Sequence, residues 1–315
     1  MLGEPSGLLM LDKPGLGDPP VFPEQPDRLP TSHDAVQRVR RCFGIRRVGH
    51  TGTLDPFASG LLVICLGRAT RLAEYYQGQP KTYRTVFRFG LRTDTDDITG
   101  TPLEEGSASV VTESRLAALV PKFTGWIEQI PPAFSAKHIG GQRAHRIARS
   151  GGLAELQPQT VHVAALEALS PVQDGCCEFM VTCSAGTYIR SLARDMGLAL
   201  GVGGTVASLR RVSLGSLRVA DAIPLVELEG DAPLPELADA GAGLAWPRLV
   251  CDADMRLRFS QGREVEAPDV SIQLREGELA LAVDTERRTL GVVWCTQAAG
   301  TWPPRFRTRK WLAAA

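Results

Sequence analysis

Apolar and polar positions along this 315-residue chain follow two periods, and the switches between them mark its elements. Leu8 to Leu11 is a short apolar strand closed by Asp12-Lys13-Pro14. Ala35, Val36, Val39 and Phe43 recur at helical spacing, with Thr31 or Ser32 as the cap and Gly44 as the stop. Leu61 to Leu66 is an unbroken strand-length apolar run, and a helix is expected from about Ala69 to Tyr76. From Thr82 to Gly90 the pattern alternates, with Tyr83, Thr85, Phe87 and Phe89 on one face and Arg84, Val86 and Arg88 on the other. Thr112 to Val120 reads as helix, Val161 to Leu169 and Glu178 to Ser184 as strands. Gly186-Thr187-Tyr188-Ile189-Arg190 opens a helix that runs to about Leu200 and stops at Gly201.

Two segments break the pattern. Gly15 to Pro30 is proline-rich and aperiodic, as expected of a surface insertion. Phe123 to Gly152 combines Pro131-Pro132 and Gly140-Gly141 with a basic helical piece around Ala144 to Ala148, an excursion from the core. Gly230 to Gly243, rich in Ala, Gly and Pro, is the expected domain boundary. Beyond it, the runs Val270 to Leu274, Leu279 to Val283 and Leu290 to Cys295 suit a small β-barrel. Strands interleaved with helices give an α/β or α+β architecture.

Composition adds bounds. Hydrophobic residues make up 43% and charged residues 22%, the balance of a soluble globular protein of about two domains. No apolar run reaches the roughly 20 residues that span a bilayer, and the first residues lack the pattern of a signal peptide. The seven cysteines contain no Cys-x-x-Cys pair, which argues against a zinc site or a disulfide framework and for a reducing, cytoplasmic home. Formal net charge is zero, but the cations cluster: Arg38, Arg40, Arg41, Arg46 and Arg47; Lys137, Arg143, Arg146 and Arg149; and Arg305 to Lys310. Three such patches suit a polyanion gripped along one face, although each alone can be a solvated helix face.

The candidate chemistry sits in Gly49-His50-Thr51-Gly52-Thr53-Leu54-Asp55-Pro56-Phe57-Ala58-Ser59-Gly60, one carboxylate among turn-prone residues ahead of the apolar strand. A turn of this composition is ordinary chain geometry; its partners decide. Arg190 falls in the first turn of its helix, where the dipole disfavours a cation, so an anionic partner is expected. A guanidinium that grips Asp55 bidentately would hold its pKa down and orient it. Tyr83, between Lys81 and Arg84, can stack on a nucleobase or serve as a half-buried strand aromatic. His50 can act in acid–base chemistry, touch RNA or hold its loop. The acids of Arg92 to Asp97 lack calcium-loop spacing and read as a capped loop.

Leu11-Asp12-Lys13-Pro14, the Gly49 to Pro56 stretch, Lys81-Thr82-Tyr83-Arg84, Arg92-Thr93-Asp94-Thr95, Gly186 to Arg190 and Leu209-Arg210-Arg211 occur in the order and spacing of the TruB family of tRNA pseudouridine synthases, which this chain resembles from about residue 7 to 225. From Pro247 onward the resemblance is weaker, and Arg258 to Val265 looks like the start of a PUA-type RNA-binding barrel. The resemblance implies an α+β pseudouridine synthase fold with a mixed, mainly antiparallel sheet. Residues 1–245 would form the catalytic domain, with insertions at 16–30 and a thumb-like 123–152, and 246–315 a PUA-like RNA-binding domain. It implies Asp55 as catalytic aspartate, Arg190 as its partner, Tyr83 stacking on the flipped base, Tyr188 and Leu209 as pocket walls and His50 on the displaced RNA. Lys13 and Pro14 would support the catalytic loop; Lys137, Arg143, Arg146, Arg149 and Arg71 would bind RNA.

The implied reaction converts uridine at position 55 in the tRNA T-loop to pseudouridine by base flipping, with no cofactor or metal. Asp55 would act by attack at C6, by attack at C1′ or by a glycal route. The implied partner is the T-arm stem-loop of tRNA, bound by a monomer without guide RNA, obligatory protein partner or membrane. Three positions depart from the family pattern: Leu16 to Pro30 is inserted, His145 stands where the thumb commonly carries tyrosine, and Arg71 stands where lysine also occurs. The reading from another class is a non-catalytic tRNA-binding or folding chaperone that uses the same surface. Asp55 discriminates between the two.

Overall fold

Leu61 to Leu66 lies inside a strand buried along its whole length, because packing covers both of its faces. The computed structural model describes residues 4–16, 29–134, 138–139, 142–143, 156–228, 233–267, 274–297 and 302–313. In chain order these form β1 (Gly7–Lys13), α1 (Ser32–Phe43), β2 (Val48–His50), β3 (Ser59–Leu66), a 3₁₀ turn at Gly67–Leu72 and α2 (Ala73–Gln77). Next come β4 (Lys81–Phe89), β5 (Leu91–Thr93), β6 (Pro102–Glu105), α3 (Glu113–Leu119), β7 (Gly125–Gln129) and a short hairpin of β8 (His138–Ile139) and β9 (Gln142–Arg143). They are followed by β10 (Gln159–Ala168), β11 (Cys176–Cys183), α4 (Ile189–Leu200), β12 (Gly204–Leu214), β13 (Leu217–Arg218) and β14 (Ile223–Pro224). The C-terminal unit contains β15 (Arg248–Val250), α5 (Ala253–Ser260), β16 (Val265–Glu266), β17 (Leu279–Val283), β18 (Thr289–Cys295) and β19 (Arg305–Trp311).

Among the described residues, a ten-stranded sheet runs β14-β1-β3-β12-β4-β11-β10-β7, with β2 beside β3 and β13 beside β12. Only the β1–β14 and β3–β12 pairs are parallel; the other pairings are antiparallel. Alternation along β3 explains its burial. Leu62, Ile64 and Leu66 face a core shared with Ala35, Val36 and Val39 of α1 and Leu192, Ala193 and Met196 of α4. Leu61, Val63 and Cys65 face the opposite core, which includes Tyr76 and, from the C-terminal unit, Leu281, Val283, Val292 and Leu312. A strand buried on both faces needs no polar alternation, which is why its sequence shows none.

Local signals account for the helix ends. Thr31 caps α1 in a full capping box with Asp34, and Gly44 closes it in the left-handed region. Gly201 closes α4 in the same way. The helix expected from Ala69 to Tyr76 is a 3₁₀ turn for its first half, and only Ala73–Gln77 is α-helical.

Three regions differ from their sequence reading or lie beyond it. The small-residue stretch read as the domain boundary is packed at its C-terminal end. Ala238 bridges Leu8, and the Tyr76 hydroxyl lies 2.7 Å and 2.8 Å from the Ala240 and Ala242 carbonyls. Small residues permit this approach: a Cβ on Gly241 would sit 2.5 Å from Thr289 Oγ1. The basic run Arg305 to Lys310 is strand β19, and acids distant in sequence neutralise much of it. Arg305 pairs with Glu266 at 2.7 Å, Arg307 with Glu264 at 3.3 Å and Lys310 with Glu74 at 2.8 Å. Of the expected thumb, the helical piece and Lys137, Arg146 and Arg149 lie outside the described residues, as do residues 17–28 of the first insertion and the strand start at Val270; Arg143 is described only as backbone of β9. No helix among the described residues is long and apolar enough to cross a membrane.

Candidate active site

The loop between β2 and β3 is braced from several directions, and each brace traces to a particular residue. Because Thr31 takes the capping role, Ser32 is free to turn inward. Its buried hydroxyl accepts from Leu54 N–H at 2.9 Å and donates to Leu54 C=O at 3.1 Å. The fully buried Lys13 ammonium donates to the carbonyls of Pro14, Pro30 and Pro56 at 2.8, 2.9 and 3.0 Å. It therefore ties the end of β1, the entry to α1 and the residue after Asp55 to one point. Leu16 N–H bonds Phe57 C=O at 2.9 Å. Gly15 packs so closely that a Cβ there would sit 2.4 Å from that carbonyl. Burial lowers the Lys13 pKa to about 8, against the pull of Asp55.

α4 brings the opposing charge. Tyr188 is its N-cap residue, and the buried Gln129 amide clamps the Tyr188 backbone, accepting from N–H at 2.8 Å and donating to C=O at 3.0 Å. Arg190, 5% exposed, then gathers three loops. Nη2 donates to Asp55 Oδ1 at 3.2 Å and to Phe134 C=O at 2.9 Å, and Nη1 donates to Thr95 C=O at 2.8 Å. Asp97 Oδ2 lies 3.6 Å from Nη1. Nε is 2.9 Å from Asp55 Oδ2 but outside hydrogen-bond alignment. The guanidinium thus meets both carboxylate oxygens and makes one aligned bond, short of the bidentate fork expected. These carboxylates offset the dipole penalty on a cation at the helix start.

Asp55 remains 34% exposed at its side chain and lines a cavity of about 270 Å³. The other walls include Tyr83, Leu209, Tyr188, Thr187, Lys81 and Arg211. Burial raises the Asp55 pKa above the ordinary carboxylate value; Arg190 opposes this by charge and hydrogen bond, and Asp97 reinforces it. The sequence argument, which had the guanidinium depress the pKa, omitted desolvation and the second carboxylate. Contact with water in the cavity tempers the rise. Burial likewise raises the Tyr83 pKa, against the pull of the nearby Arg211 charge.

The structure thus brings Asp55, Arg190, Tyr83, Tyr188 and Leu209 around one cavity, with Lys13 and Pro14 behind the loop. His50 does not line it. Its Nδ1 accepts from Gly52 N–H at 3.3 Å, and burial lowers its pKa. Arg71, a candidate RNA contact, spends Nη1 on Trp311 C=O at 2.6 Å, across the seam to the C-terminal unit. Five participants were given no site role from sequence: Ser32, Gln129, Asp97, Lys81 and Arg211. Asp97 stood in the acidic run read as a capped loop, and it does cap that loop, accepting from Thr99 N–H at 3.0 Å. Lys81 and Arg211 stood inside quoted motifs, where their strand parity with Tyr83 and Leu209 could have placed them on the cavity face.

Comparison with known proteins bears on this cavity. The description of the TruB family pseudouridylate synthase N-terminal domain matches residues 40–189, and that of the tRNA pseudouridylate synthase B C-terminal domain matches residues 190–234. A tRNA pseudouridine synthase B of Gloeobacter violaceus is 39% identical over 308 residues, covering 95% of this chain and 97% of the relative. One of Rhodococcus jostii is 40% identical over 265 residues, covering 83% of each. Among solved structures, an H/ACA RNP bound to a substrate RNA containing 2′-deoxyuridine aligns with a TM-score of 0.70 at 20% identity, covering 98% of this chain and 85% of the other. A Cbf5-Nop10-Gar1 complex aligns at 0.69 and 22% identity, with the same coverage. At those identities the structural likeness speaks for the fold.

Proposed function

The chain belongs to the TruB family of pseudouridylate synthases, and we propose that it isomerises uridine at position 55 in the T-loop of tRNA to pseudouridine, with Asp55 as the catalytic group. The observation that carries this reading is a single carboxylate, held by a buried guanidinium, that opens into a cavity walled by Tyr83, Tyr188 and Leu209. The curated relatives of high coverage are named for pseudouridine synthesis in tRNA.

The target base must leave its stack, at a cost of a few kcal/mol. Stacking on Tyr83 offsets that, at roughly 1–3 kcal/mol per base. Asp55 then acts on the extruded nucleotide. By whichever of the three routes, the N1–C1′ bond breaks, the ring turns, C5–C1′ forms and the C5 proton leaves. Every group needed for this belongs to the chain or the substrate. Arg190 fixes the carboxylate toward the cavity, and the braces from Ser32 and Lys13 hold its loop while the base turns. The cationic thumb residues Lys137, Arg143, Arg146 and Arg149, and the C-terminal unit as a PUA-like RNA-binding domain, complete the reading as the means of gripping the T-arm. A non-catalytic tRNA chaperone has no use for a carboxylate so constrained.

The test is Asp55→Asn on a T-arm stem-loop with no other RNA or protein present. Pseudouridine formation should vanish while filter binding of the RNA persists. Undiminished turnover would end the assignment, and a wild-type protein inactive on the bare stem-loop would point to a guided enzyme.

A further inference from the structure

Two cations that line the same cavity as Asp55 and Arg190 have no acidic partner among the described residues. Lys81, 8% exposed, donates only to the carbonyls of Gln77 and Gln79, each at 2.8 Å. Arg211, 1% exposed, donates to Leu61 C=O from Nε at 2.7 Å and to Gly52 C=O from Nη2 at 3.1 Å. They crowd the same corner: a Cβ on Gly52 would lie 3.6 Å from Arg211 Nη1 and 3.7 Å from Lys81 Cε. Among the described residues no carboxylate pairs with either. Elsewhere the pattern is different, with Arg190 on Asp55 and Asp97, Arg194 on Asp96 and Arg210 on Asp12. Lys13 is also carbonyl-bound, but it lies behind the loop with Asp55 and Asp34 acting on it and does not line the cavity.

Buried like charges held side by side without a counter-ion are costly, and they persist where an anion arrives during function. In this reaction the anion is the base. If Asp55 adds at C6, the ring electrons move toward O4. If it acts at C1′, or takes the C2′ proton on the glycal route, the N1–C1′ electron pair departs with the pyrimidine. Every route loads negative charge onto the ring before C5–C1′ forms and the C5 proton leaves. Tyr83, paired in register with Arg211, lines the same cavity as both cations.

We propose that Lys81 and Arg211 form an electrostatic wall that stabilises the negative charge carried by the pyrimidine between cleavage of N1–C1′ and formation of C5–C1′. The inference rests on the pseudouridine synthase reading and deepens it. The low pKa of Lys81, about 8 from burial and from Arg211, agrees with a corner that awaits an anion.

The experiment compares uridine with 5-fluorouridine at the target position of a T-arm stem-loop, in single turnover with the full chain. Fluorine withdraws electrons and lets the ring hold negative charge unaided. Lys81→Gln removes the charge but keeps an N–H for the carbonyls of Gln77 and Gln79; Lys81→Met is a second neutral variant and Lys81→Arg the charge-conserving one. The neutral variants should consume uridine about 100-fold more slowly, at the low end of the range for loss of one preorganised group. They should slow 5-fluorouridine distinctly less and leave stem-loop affinity within about twofold, and Lys81→Arg should recover most of the rate. Equal slowing of both bases, an unchanged uridine rate, or failure of Lys81→Arg to outperform Lys81→Gln would overturn the proposal. Wild-type protein that forms no pseudouridine would instead sink the reading beneath it.

Discussion

Replacing Arg190 should move the acid limb of the pH–rate profile, and its size can be worked from the geometry. Asp55 must be ionised to act, so turnover falls as pH drops through its pKa. Burial already holds that value above the ordinary carboxylate range, and Arg190 is the chief group pulling it down. Contacts of 2.9 and 3.2 Å place the two charge centres about 4 Å apart, worth about 4 kcal/mol at an effective dielectric of about 20. The carboxylate is 34% exposed, so solvent screening reduces this to roughly 2 kcal/mol. Loss of the guanidinium removes this stabilisation of the carboxylate and raises the Asp55 pKa further.

The prediction is therefore that Arg190→Met shifts the acid limb of single-turnover kcat to higher pH, beyond any fall in its plateau. Arg190→Lys keeps a charge and should leave the limb near its wild-type position while lowering the plateau, because one ammonium cannot fix a planar carboxylate. Removing Arg190 also strands buried Asp97, at about 3–5 kcal/mol for a broken buried pair. The double variant Arg190→Met with Asp97→Asn relieves that cost, and its limb should shift by less because the repelling carboxylate is gone as well. Stopped-time assays across the acid range decide the matter. An acid limb in folded Arg190→Met that coincides with wild type refutes the electrostatic role.

The remaining predictions concern the supports of the loop and the opposite limb. Ser32→Ala strands the N–H and C=O of Leu54, so urea melts should show a loss of about 2–4 kcal/mol, with kcat reduced and stem-loop affinity retained. Lys13→Met unties three carbonyls and should cost at least about 3 kcal/mol; a variant that melts with wild type refutes the bracing role. Gly60 has φ +99°, and a Cβ there would meet the Arg211 carbonyl at 2.3 Å, so Gly60→Ala should part β3 from β12 and depress kcat more than binding. On the alkaline side, turnover should fall as pH rises through about 8, where Lys81 loses the proton that burial and Arg211 already weaken, against the pull of Cys183. Lys13 titrates in the same range, so Lys81→Arg should move that limb to higher pH only in part, and an unchanged limb refutes the assignment.

What the sequence revealed follows how local each cause is. α1 was legible to within one residue at its start because its cap, its apolar stripe and its stopping glycine lie within one short segment. β3 was legible as a strand, and its burial on both faces became clear only with the C-terminal unit packed on Leu61, Val63 and Cys65. The pairing of Asp55 with Arg190 was foreseeable because a cation in a helix's first turn calls for an anion. Asp97, from a third loop, carried no such sign and read as a turn acid. Ser32 was hidden by an adjacent residue of the same type: either Thr31 or Ser32 could cap the helix, and only the fold shows which one is left to hold Leu54. The acids beside the basic residues of β19 were hidden for the opposite reason, since Glu264, Glu266 and Glu74 lie far away in sequence.

The charges around the cavity divide by what lies behind them. Lys13 is buried against three carbonyls and stabilises a loop, so its proton serves architecture. Arg190 is buried against two carboxylates and orients one of them, so its charge is spent before any substrate arrives. Lys81 and Arg211 are buried against carbonyls and each other, so theirs is unspent. An isolated fold gains nothing from that last arrangement, since desolvation penalises both groups and their repulsion adds to it. The opposed polarity does suit a base that enters neutral, carries negative charge while detached and leaves neutral. The anionic group that starts the reaction and the cations that steady its intermediate line one cavity.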